Sequence, residues 1–414
     1  MLNGRGVPER KPQSRPPGGR RGRFFILALS VTIGIQAPLV AGLAYLWGHL
    51  WPPPLLAAVL TGGFLSTVLG PRGVWGAPSR ARLYLVLWPF FIWWTLALLF
   101  ALLAPLALVV RGIASSTGSP ISTPAALWSA LAVGLAGTVL ALGGSPRVRR
   151  HEIAIAGLPP VFDGYRIAQI SDLHCGPFAS RERVDGWVAA VNHLGADLVA
   201  VTGDLIASGP TFVPVVAEAL GALRARDGVF ASMGNHDYFT DGEEMAAALE
   251  GAGLTLLRNR GVEVRRDGAA IYVAGVDDTW TKRHDLDKAL AARPPAMPTL
   301  LLSHDPALFP DAASRAVDLT LSGHTHGGQI GVPFFAKRFN LARVMTPFTT
   351  GLYHSGAAAL YVSRGLGSTG LPVRIFVPAE ITLITLRCGE RPSAAAEPAR
   401  VQPDVLAGDP QAAH

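Results

Sequence analysis

Two patterns of apolar and polar positions divide this chain of 414 residues. The first part carries four long apolar runs, at 24–47, 54–69, 83–110 and 125–142, and none of them contains Asp, Glu, Lys or Arg. A membrane-spanning helix needs about 20 apolar residues, so the first, third and fourth runs are long enough and the second is short. The pattern predicts an all-α bundle of about four transmembrane helices over residues 24–143.

From residue 151 onward the apolar runs become short, and five of them end in a polar cluster. Segments with apolar residues at helical spacing, for example 181–194, lie between the first of these runs and predict helices there. The five clusters are Asp172-Leu173-His174, Gly203-Asp204, Gly234-Asn235-His236-Asp237, His304-Asp305 and Gly323-His324-Thr325-His326. Strands that alternate with helices place such clusters at the carboxyl ends of the strands, where α/β sheets build their sites. We therefore predict a globular α/β domain with one shared site.

Each cluster has an ordinary structural explanation when it is taken singly. Asp172 and His174 fit a turn with an Asx hydrogen bond, Asp204 fits a helix N-cap, and residues 235–237 fit a polar turn before a helix. Five such coincidences at five strand ends, all without a lysine, are harder to explain than one common site. Carboxylate, amide and imidazole groups are ligands of divalent metal ions, so the clusters predict a metal site.

Charge also separates the two parts of the chain. Half of the residues are hydrophobic and the mean hydropathy is +0.33, which is too apolar for an average soluble protein. Residues 1–150 hold 14 Lys and Arg against one acid, a net charge of +13, whereas residues 151–414 hold 22 Lys and Arg against 28 acids, a net charge of −6. The basic character belongs to the membrane part, and we expect no nucleic-acid partner for the acidic part.

The positions of the cations predict the orientation of the membrane part. They concentrate before the first run, between the second and third runs, and after the fourth run, whereas the other two loops carry a single Arg. Because cytoplasmic loops are enriched in Lys and Arg, we expect a multi-pass protein of the plasma or inner membrane with its second part on the cytoplasmic side. If the second run does not cross, the second part lies outside. The lack of ionisable residues inside the runs favours an anchor over a transport pathway.

The remaining segments complete the predicted organisation. Residues 1–23 are rich in Arg, Pro and Gly and are predicted to be a disordered basic tail, and residues 389–414 are predicted to be a second disordered tail. Residues 144–159 are expected to be a linker between the membrane bundle and a catalytic domain at 160–388.

Taken together, the five clusters resemble the signature of the calcineurin-like metallophosphoesterase superfamily. That signature reads D-x-H, G-D, G-N-H-D/E, a single H and G-H-x-H, and all five parts occur here in that order. The resemblance covers about residues 160–385, and the segments 360–367 and 372–378 look like its bacterial membrane-associated branch. It implies a four-layer α/β/β/α sandwich, in which two sheets are flanked by helices. The membrane part lies outside the resemblance.

The resemblance also implies a role for each residue of the clusters. Two divalent cations, of Mn, Fe, Zn or Co, would share Asp204 as a bridging ligand and hold a hydroxide that attacks phosphorus. His236 would protonate the departing oxygen and Asp237 would orient its imidazole; in the alternative, His236 only supports the ligands. The other ligands would be Asp172, His174 and His326 for the first cation and Asn235, His304 and His324 for the second.

We therefore expect a membrane-anchored, metal-dependent hydrolase of phosphoesters or phosphodiesters. Its partners would be the lipid bilayer and a phosphorylated substrate, for which the membrane anchor suggests a lipid-linked phosphate. One alternative is a membrane receptor or scaffold with a non-catalytic phosphoesterase fold, although such a protein would be expected to have lost ligands. A nuclease of the same family is another, and the acidic charge of the second part disfavours it.

Three further features lead to weaker hypotheses. Arg364 follows an apolar run and would either contact phosphate or form a surface ion pair. Asp277 and Asp278 follow another apolar run and would either reach the rim of the site or be solvated residues of a turn. Residues 334–339 interleave aromatic side chains with cations, which fits either docking onto the bilayer or a loop that packs its own phenylalanines.

Overall fold

The computed structural model describes residues 18–69, 78–239, 241–332, 339–389 and 402–403. The helices are α1 (Gly18–Trp47), α2 (Pro52–Val68), α3 (Arg80–Arg82), α4 (Trp88–Ser116), α5 (Thr123–Gly143), α6 (Arg181–His193), α7 (Val213–Leu220), α8 (Gly242–Gly251), α9 (Leu286–Leu290) and α10 (Phe309–Ser314). The strands are β1 (Arg147–Ala156), β2 (Arg166–Ile170), β3 (Leu198–Thr202), β4 (Val229–Ser232), β5 (Thr255–Leu256), β6 (Arg260–Arg266), β7 (Ala269–Gly275), β8 (Thr299–Leu302), β9 (Leu319–Ser322), β10 (Gly351–Ser355), β11 (Ala358–Val362), β12 (Glu380–Gly389) and β13 (Gln402–Pro403). These elements form two compact units, one from the described parts of residues 1–61 and 92–136 and one from those of 62–91 and 137–414.

Within the first unit, apolar side chains from α1, α4 and α5 pack into one buried cluster that includes Leu39, Phe100 and Leu127. A polar group inside this cluster is satisfied by its neighbours. The side-chain oxygen of Gln36 accepts a hydrogen bond from Trp93 Nε1 at 2.8 Å. Such pairing is expected because an unpaired amide is costly away from water.

Among the described residues, three helices are long and apolar enough to cross a membrane, namely Ile26–Trp47, Arg80–Ser116 and Thr123–Gly143. The second of these joins α3 to α4 through a π-helical turn at Leu83–Leu87. The expectation of apolar, span-capable helices in this part of the chain is confirmed. Helix α2 has 17 residues, which is shorter than a span usually needs, so four crossings and a cytoplasmic catalytic domain stay predictions.

Two β-sheets pack face to face in the second unit. The first sheet has the order β1-β12-β2-β3-β4-β5 and the second has the order β13-β10-β11-β9-β8-β7-β6. Their facing surfaces bury one apolar cluster, to which Ile167 and Leu198 contribute from the first sheet and Val273 and Leu300 from the second. The strands β2 to β5 are mutually parallel, and so are β7, β8, β9 and β11. The predicted mixed α/β fold is confirmed.

Helices cover the outer face of each sheet. Helices α6, α7 and α8 pack on the first sheet through an apolar cluster that contains Trp187 and Met245, and α9 and α10 pack on the second through a smaller cluster. Strand β3 shows why this sheet needs cover on both sides. Val199 and Val201 face the helices while Leu198 faces the second sheet, because successive side chains of a strand point to opposite faces.

The predicted linker at 144–159 is wrong, because most of it is strand β1. This strand pairs in parallel with β12 and buries Ile153 and Ile155 in the core between the sheets. The three arginines at the start of the strand are typical of a loop at the end of a membrane bundle. The folded domain therefore begins at residue 147 rather than at 160, and only three residues separate it from the end of α5.

The chain ends differ in part from the predicted tails. Helix α1 begins at Gly18, so the last six residues of the predicted basic tail are helical, while residues 1–17 lie outside the described residues. Residues 402–403 pair with β10, and the rest of 390–414 lies outside the described residues. The same holds for 333–338, which includes most of the predicted aromatic and cationic loop.

We expect Ile155→Ala to destabilise the second unit by about 2–5 kcal/mol, since the change leaves a cavity in the core. Thermal unfolding of the full-length protein in detergent measures the effect as a lower midpoint. Glu152→Ala is the matched control on the same strand, because Glu152 is exposed and, in the described residues, forms its ion pair with the half-buried Arg387. Equal midpoints for the two variants would contradict the assignment of β1 to the folded domain.

Candidate metal centre

The predicted ligands come together where parallel strands of both sheets end. Asp172 and His174 follow β2, Asp204 follows β3 and Asn235 follows β4. From the second sheet, His304 follows β8, and His324 and His326 follow β9. Because parallel strands present their carboxyl ends at the same edge, packing the two sheets face to face brings the five loops to one place.

One group of donor atoms consists of Asp172, His174 and His326. The Nε2 atoms of His174 and His326 are 2.9 Å apart, and His326 Nε2 lies 3.4 Å from Asp172 Oδ1. All three side chains are buried. The first predicted ligand set is therefore assembled as a compact cluster.

A second group consists of Asp204, His304 and His324. His304 Nε2 lies 3.2 Å from Asp204 Oδ2 and 3.2 Å from His324 Nδ1. The same Asp204 oxygen lies 3.6 Å from His174 Nε2 in the first group. One carboxylate thus faces both groups, in the position that a bridging ligand requires.

His236 lies beside this carboxylate with its side chain half-buried. Its backbone N–H donates to Asp204 Oδ1 at 2.9 Å, and its ring Nδ1 lies 2.7 Å from the Ala207 carbonyl oxygen. A carbonyl only accepts, so Nδ1 carries a proton and Nε2 is the atom left to exchange one. The ring is therefore fixed in orientation and has one nitrogen available.

The expectation that Asp237 orients this imidazole is wrong. The buried Asp237 carboxylate accepts hydrogen bonds from the backbone N–H groups of Asp204, Leu205 and Gly234, at 3.0, 2.8 and 2.9 Å. A buried carboxylate is stabilised most effectively by several such donors. Asp237 holds the loops that carry Asp204 and Asn235, and the Ala207 carbonyl orients the ring in its place.

The backbone of the site is held in an uncommon conformation. Five predicted ligands have φ between 44° and 71°, the left-handed region that residues other than glycine seldom adopt. They are Asp172, His174, Asp204, His324 and His326. A Cβ on Gly234 would overlap the Asp204 carboxylate, and a Cβ on Gly323 would overlap Asp172. Strain of this kind persists where surrounding structure enforces it, commonly at functional sites.

Burial controls the charge of most of the imidazoles. It lowers the pKa of His174 to about 3 and that of His324 to about 4, so both rings are neutral and offer a lone pair at neutral pH. Burial also favours neutral His304, but the carboxylates of Asp204 and Asp172 outweigh it and raise the pKa of His304 to about 10. The imidazolium of His304 therefore offsets part of the charge of the buried carboxylates when no cation is bound.

The donor atoms fit a divalent metal ion. The side-chain oxygen of Asn235 is buried without a hydrogen-bond partner among the described residues, although buried polar atoms are nearly always paired. Neighbouring donors 2.9–3.6 Å apart suit ligands that each bind one cation at about 2.1 Å. Oxygen and imidazole donors without thiolate match Mn, Fe, Zn or Co.

Arg374 is a neighbour of the site that the sequence did not single out. Its Nη2 lies 3.2 Å from His326 Nδ1 and donates to the Arg364 carbonyl oxygen at 2.8 Å. Burial lowers the pKa of Arg374 to about 10, which leaves it charged at neutral pH. The sequence does contain a signal for this residue, because Arg374 is a cation inside the otherwise apolar segment 372–378.

The weaker hypotheses about other residues are partly corrected. Arg364 forms an ion pair with Glu380 at 3.4 Å, but Glu380 is buried, so this is no surface pair. Asp277 and Asp278 are buried rather than solvated. The turn after them places the exposed Trp280 at 5.0 Å from His324, measured between ring centroids.

Comparison with known proteins identifies the family. Residues 165–328 match the family described as calcineurin-like phosphoesterase. The uncharacterised metallophosphoesterase YkuE of Bacillus subtilis is 34% identical over 247 residues, which are 57% of this chain and 84% of that protein. This chain belongs to the calcineurin-like phosphoesterase family. The family predicted from the five clusters is thereby confirmed.

Other relatives of this calcineurin-like phosphoesterase differ in length and similarity. A transmembrane protein with metallophosphoesterase domain from Danio rerio is 36% identical over 256 residues, which are 58% of this chain and 57% of that protein. This chain thus spans little more than half of that relative. The NAD nucleotidase NadN of Haemophilus influenzae has a TM-score of 0.33 and 15% identity, covering 51% of this chain and 45% of NadN. A similarity that low carries no argument about activity.

We expect Asp237→Asn to reduce both the stability of the protein and its metal content. An amide cannot accept all of the backbone hydrogen bonds that the buried carboxylate accepts, and it places a donor against donors. Thermal unfolding and elemental analysis of the purified full-length protein test this. The exposed Asp311 on α10 offers the control Asp311→Asn, which should change neither quantity; a fully metal-loaded Asp237→Asn protein of normal stability would contradict the assigned role.

Metal binding at pH 7 should release a proton. Without metal the pKa of His304 is about 10, so the ring is protonated at pH 7, whereas a ligand must be neutral. Affinity should therefore weaken as the pH falls, and more steeply below about 6, where Asp172, whose pKa burial raises to about 6, also becomes protonated. Calorimetric titration with Mn²⁺ in buffers of different ionisation enthalpy counts the protons. Binding without proton release would show that His304 is not a ligand.

Proposed function

We propose that this protein is a membrane-anchored hydrolase that cleaves phosphoesters with two divalent cations. The observation that carries the proposal is the position of Asp204, whose Oδ2 lies 3.6 Å from His174 Nε2 and 3.2 Å from His304 Nε2. That oxygen is within reach of both donor groups, as a shared ligand must be. The proposed ligands are Asp172, His174, Asp204, Asn235, His304, His324 and His326.

When bound, the two cations would activate a water molecule and neutralise the charge that develops on the phosphoryl oxygens. The protein's own residues fix the positions of the ligand side chains. Asp204 holds the two donor groups together, and the Asp237 carboxylate fixes the backbone on both sides of this arrangement. Positioning of this kind contributes to catalysis because the groups need no rearrangement during the reaction.

His236 is the proposed general acid. Its Nδ1–H donates to the Ala207 carbonyl, and this bond fixes the orientation of the ring. Nε2 can then deliver a proton to the departing oxygen. His236 and His324 are half-buried, while Asp172, His174 and His326 are buried, so the substrate would approach from the side of His236 and His324.

The membrane helices support a substrate located at the bilayer. A chain with three span-capable helices would be anchored in a membrane, and a lipid-linked phosphate is the proposed substrate class. The distribution of cations supports a cytoplasmic position for the site. The assembled ligand clusters favour an enzyme over a receptor or scaffold, because a binding module has no need of so many strained and buried ligands.

Leaving-group chemistry tests the role of His236. We expect His236→Gln to retain its metal and to lower kcat about 10²–10⁴-fold for an alkyl phosphodiester, whose departing alkoxide needs a proton. Hydrolysis of bis-p-nitrophenyl phosphate should fall much less, since p-nitrophenolate leaves without one. Equal losses on both substrates would contradict the acid role.

Removal of the shared ligand tests the enzyme itself. Asp204→Asn should lose bound metal and at least about 10³-fold in kcat/KM, because the site depends on that carboxylate. Mn²⁺-loaded full-length protein in detergent is assayed on phospholipids and on soluble diesters. Metal binding without turnover of any ester would favour the scaffold alternative, and turnover of soluble esters alone would contradict a lipid substrate.

A further inference from the structure

Two exposed aromatic side chains lie against the two half-buried histidines of the site. Phe239 is 59% exposed, and its ring centroid lies 4.4 Å from that of His236. Trp280 is 56% exposed, and its ring centroid lies 5.0 Å from that of His324. Both aromatic rings therefore border the side from which a substrate would reach the metal centre.

Isolated exposed apolar side chains are common on proteins and need no explanation. Four aromatic side chains are more than half exposed in the described residues beyond Gly143: Phe239, Trp280, Phe339 and Phe376. Two of these four contact imidazoles of the site. Large aromatic groups usually bury most of their surface, and these two leave it open at the entrance to a catalytic centre.

The two aromatic residues are presented by turns that are tied to each other. The hydroxyl of Tyr238, next to Phe239, donates to the Asp277 carboxylate, which begins the turn that carries Trp280. The backbone N–H of Thr281 donates to Asp278 Oδ2 at 2.6 Å. These bonds fix both sides of Trp280 and join the two turns into one rim.

The rim is also tied to the metal ligands. Thr279 Oγ1 donates to Asp305 Oδ2 at 2.8 Å, and Asp305 directly follows the ligand His304. Phe239 follows the short helical turn that starts at His236, where its N–H donates to the His236 carbonyl oxygen at 3.0 Å. Each aromatic ring therefore stands at a fixed place relative to the metal centre.

We propose that Phe239 and Trp280, the aromatic rim, bind an apolar substituent of the phosphoester and select substrates that carry one. The inference rests on the proposed function and adds the class of substrate. The faces of both rings offer van der Waals contact and stacking rather than hydrogen-bond acceptors. An aromatic ring or an alkyl chain attached through an ester oxygen would lie against them while the phosphoryl group occupies the metal centre. A phosphoester with a small or charged substituent gains no such contact.

A series of p-nitrophenyl phosphodiesters tests the selection. Their second ester group is methyl, phenyl or hexyl, so the leaving group stays the same and only the retained group changes. The wild-type protein should prefer the phenyl or the hexyl ester to the methyl ester. Trp280→Ala and Phe239→Ala should lower kcat/KM for the preferred ester about tenfold more than kcat/KM for the methyl ester. Trp280→Phe should recover most of the loss. A phenyl preference identifies an aromatic substituent, and a hexyl preference identifies an alkyl chain.

Binding without turnover provides a second readout. Calorimetry on the Mn²⁺-loaded full-length protein compares phenylphosphonate, hexylphosphonate and methylphosphonate. The wild type should bind one of the larger two more tightly than methylphosphonate, and both alanine variants should lose that preference. Phe376→Ala is the matched control, since Phe376 is 56% exposed but is placed in no ring contact with the histidines of the site.

Equal binding of the three phosphonates by the wild type, or an unchanged preference in both alanine variants, would overturn the inference. A wild-type protein that hydrolyses no ester contradicts the proposed function instead. The phosphonate preference still decides the role of the aromatic rim in that case. The two failures are therefore distinguishable.

Discussion

The structure of the site depends on the burial of two carboxylates, Asp172 and Asp204, among imidazoles and away from water. Buried charges of like sign are costly unless opposite charge compensates them. Without metal, part of the compensation comes from His304, whose pKa the carboxylates raise to about 10 although burial opposes it. A protonated imidazole is a weak substitute for divalent cations, which agrees with the proposal that the site binds metal.

The fold supplies this arrangement through two parallel sets of strands that end at the same place. Each sheet contributes part of the donor set, and neither sheet alone holds both donor groups. The apolar core between the sheets, with Leu198 and Leu300 on opposite sides, therefore fixes the distance between Asp204 and His304 as well as the stability of the domain. A cavity in that core should disturb metal binding even where no ligand is changed, because packed interiors transmit small shifts.

The sequence pointed to the candidate ligands because the chemistry of such a site forces short local patterns. A glycine must stand where a side chain would overlap a carboxylate, as at Gly234 and Gly323, and a histidine or aspartate must follow a strand end. Residues that support the site from a segment remote in the sequence have no such local pattern. Arg374 approaches His326 from a remote segment, and the role of Asp237 became clear only once the backbone groups around it were placed. Strand β1 was missed because its arginines matched the pattern of a loop at the membrane surface.

The three residues between α5 and β1 set how far the start of β1 can lie from the end of α5. Four Cα steps of at most about 3.6 Å span about 14 Å, whereas the predicted linker of 16 residues would have allowed about 60 Å. Helix α5 is apolar enough to cross a membrane, and Arg147, the first residue of β1, lies within that short reach of its end. For the proposed lipid substrate, encounters with such an anchored protein would occur by lateral diffusion in two dimensions, and the rate would follow the surface density of the lipid rather than its bulk concentration.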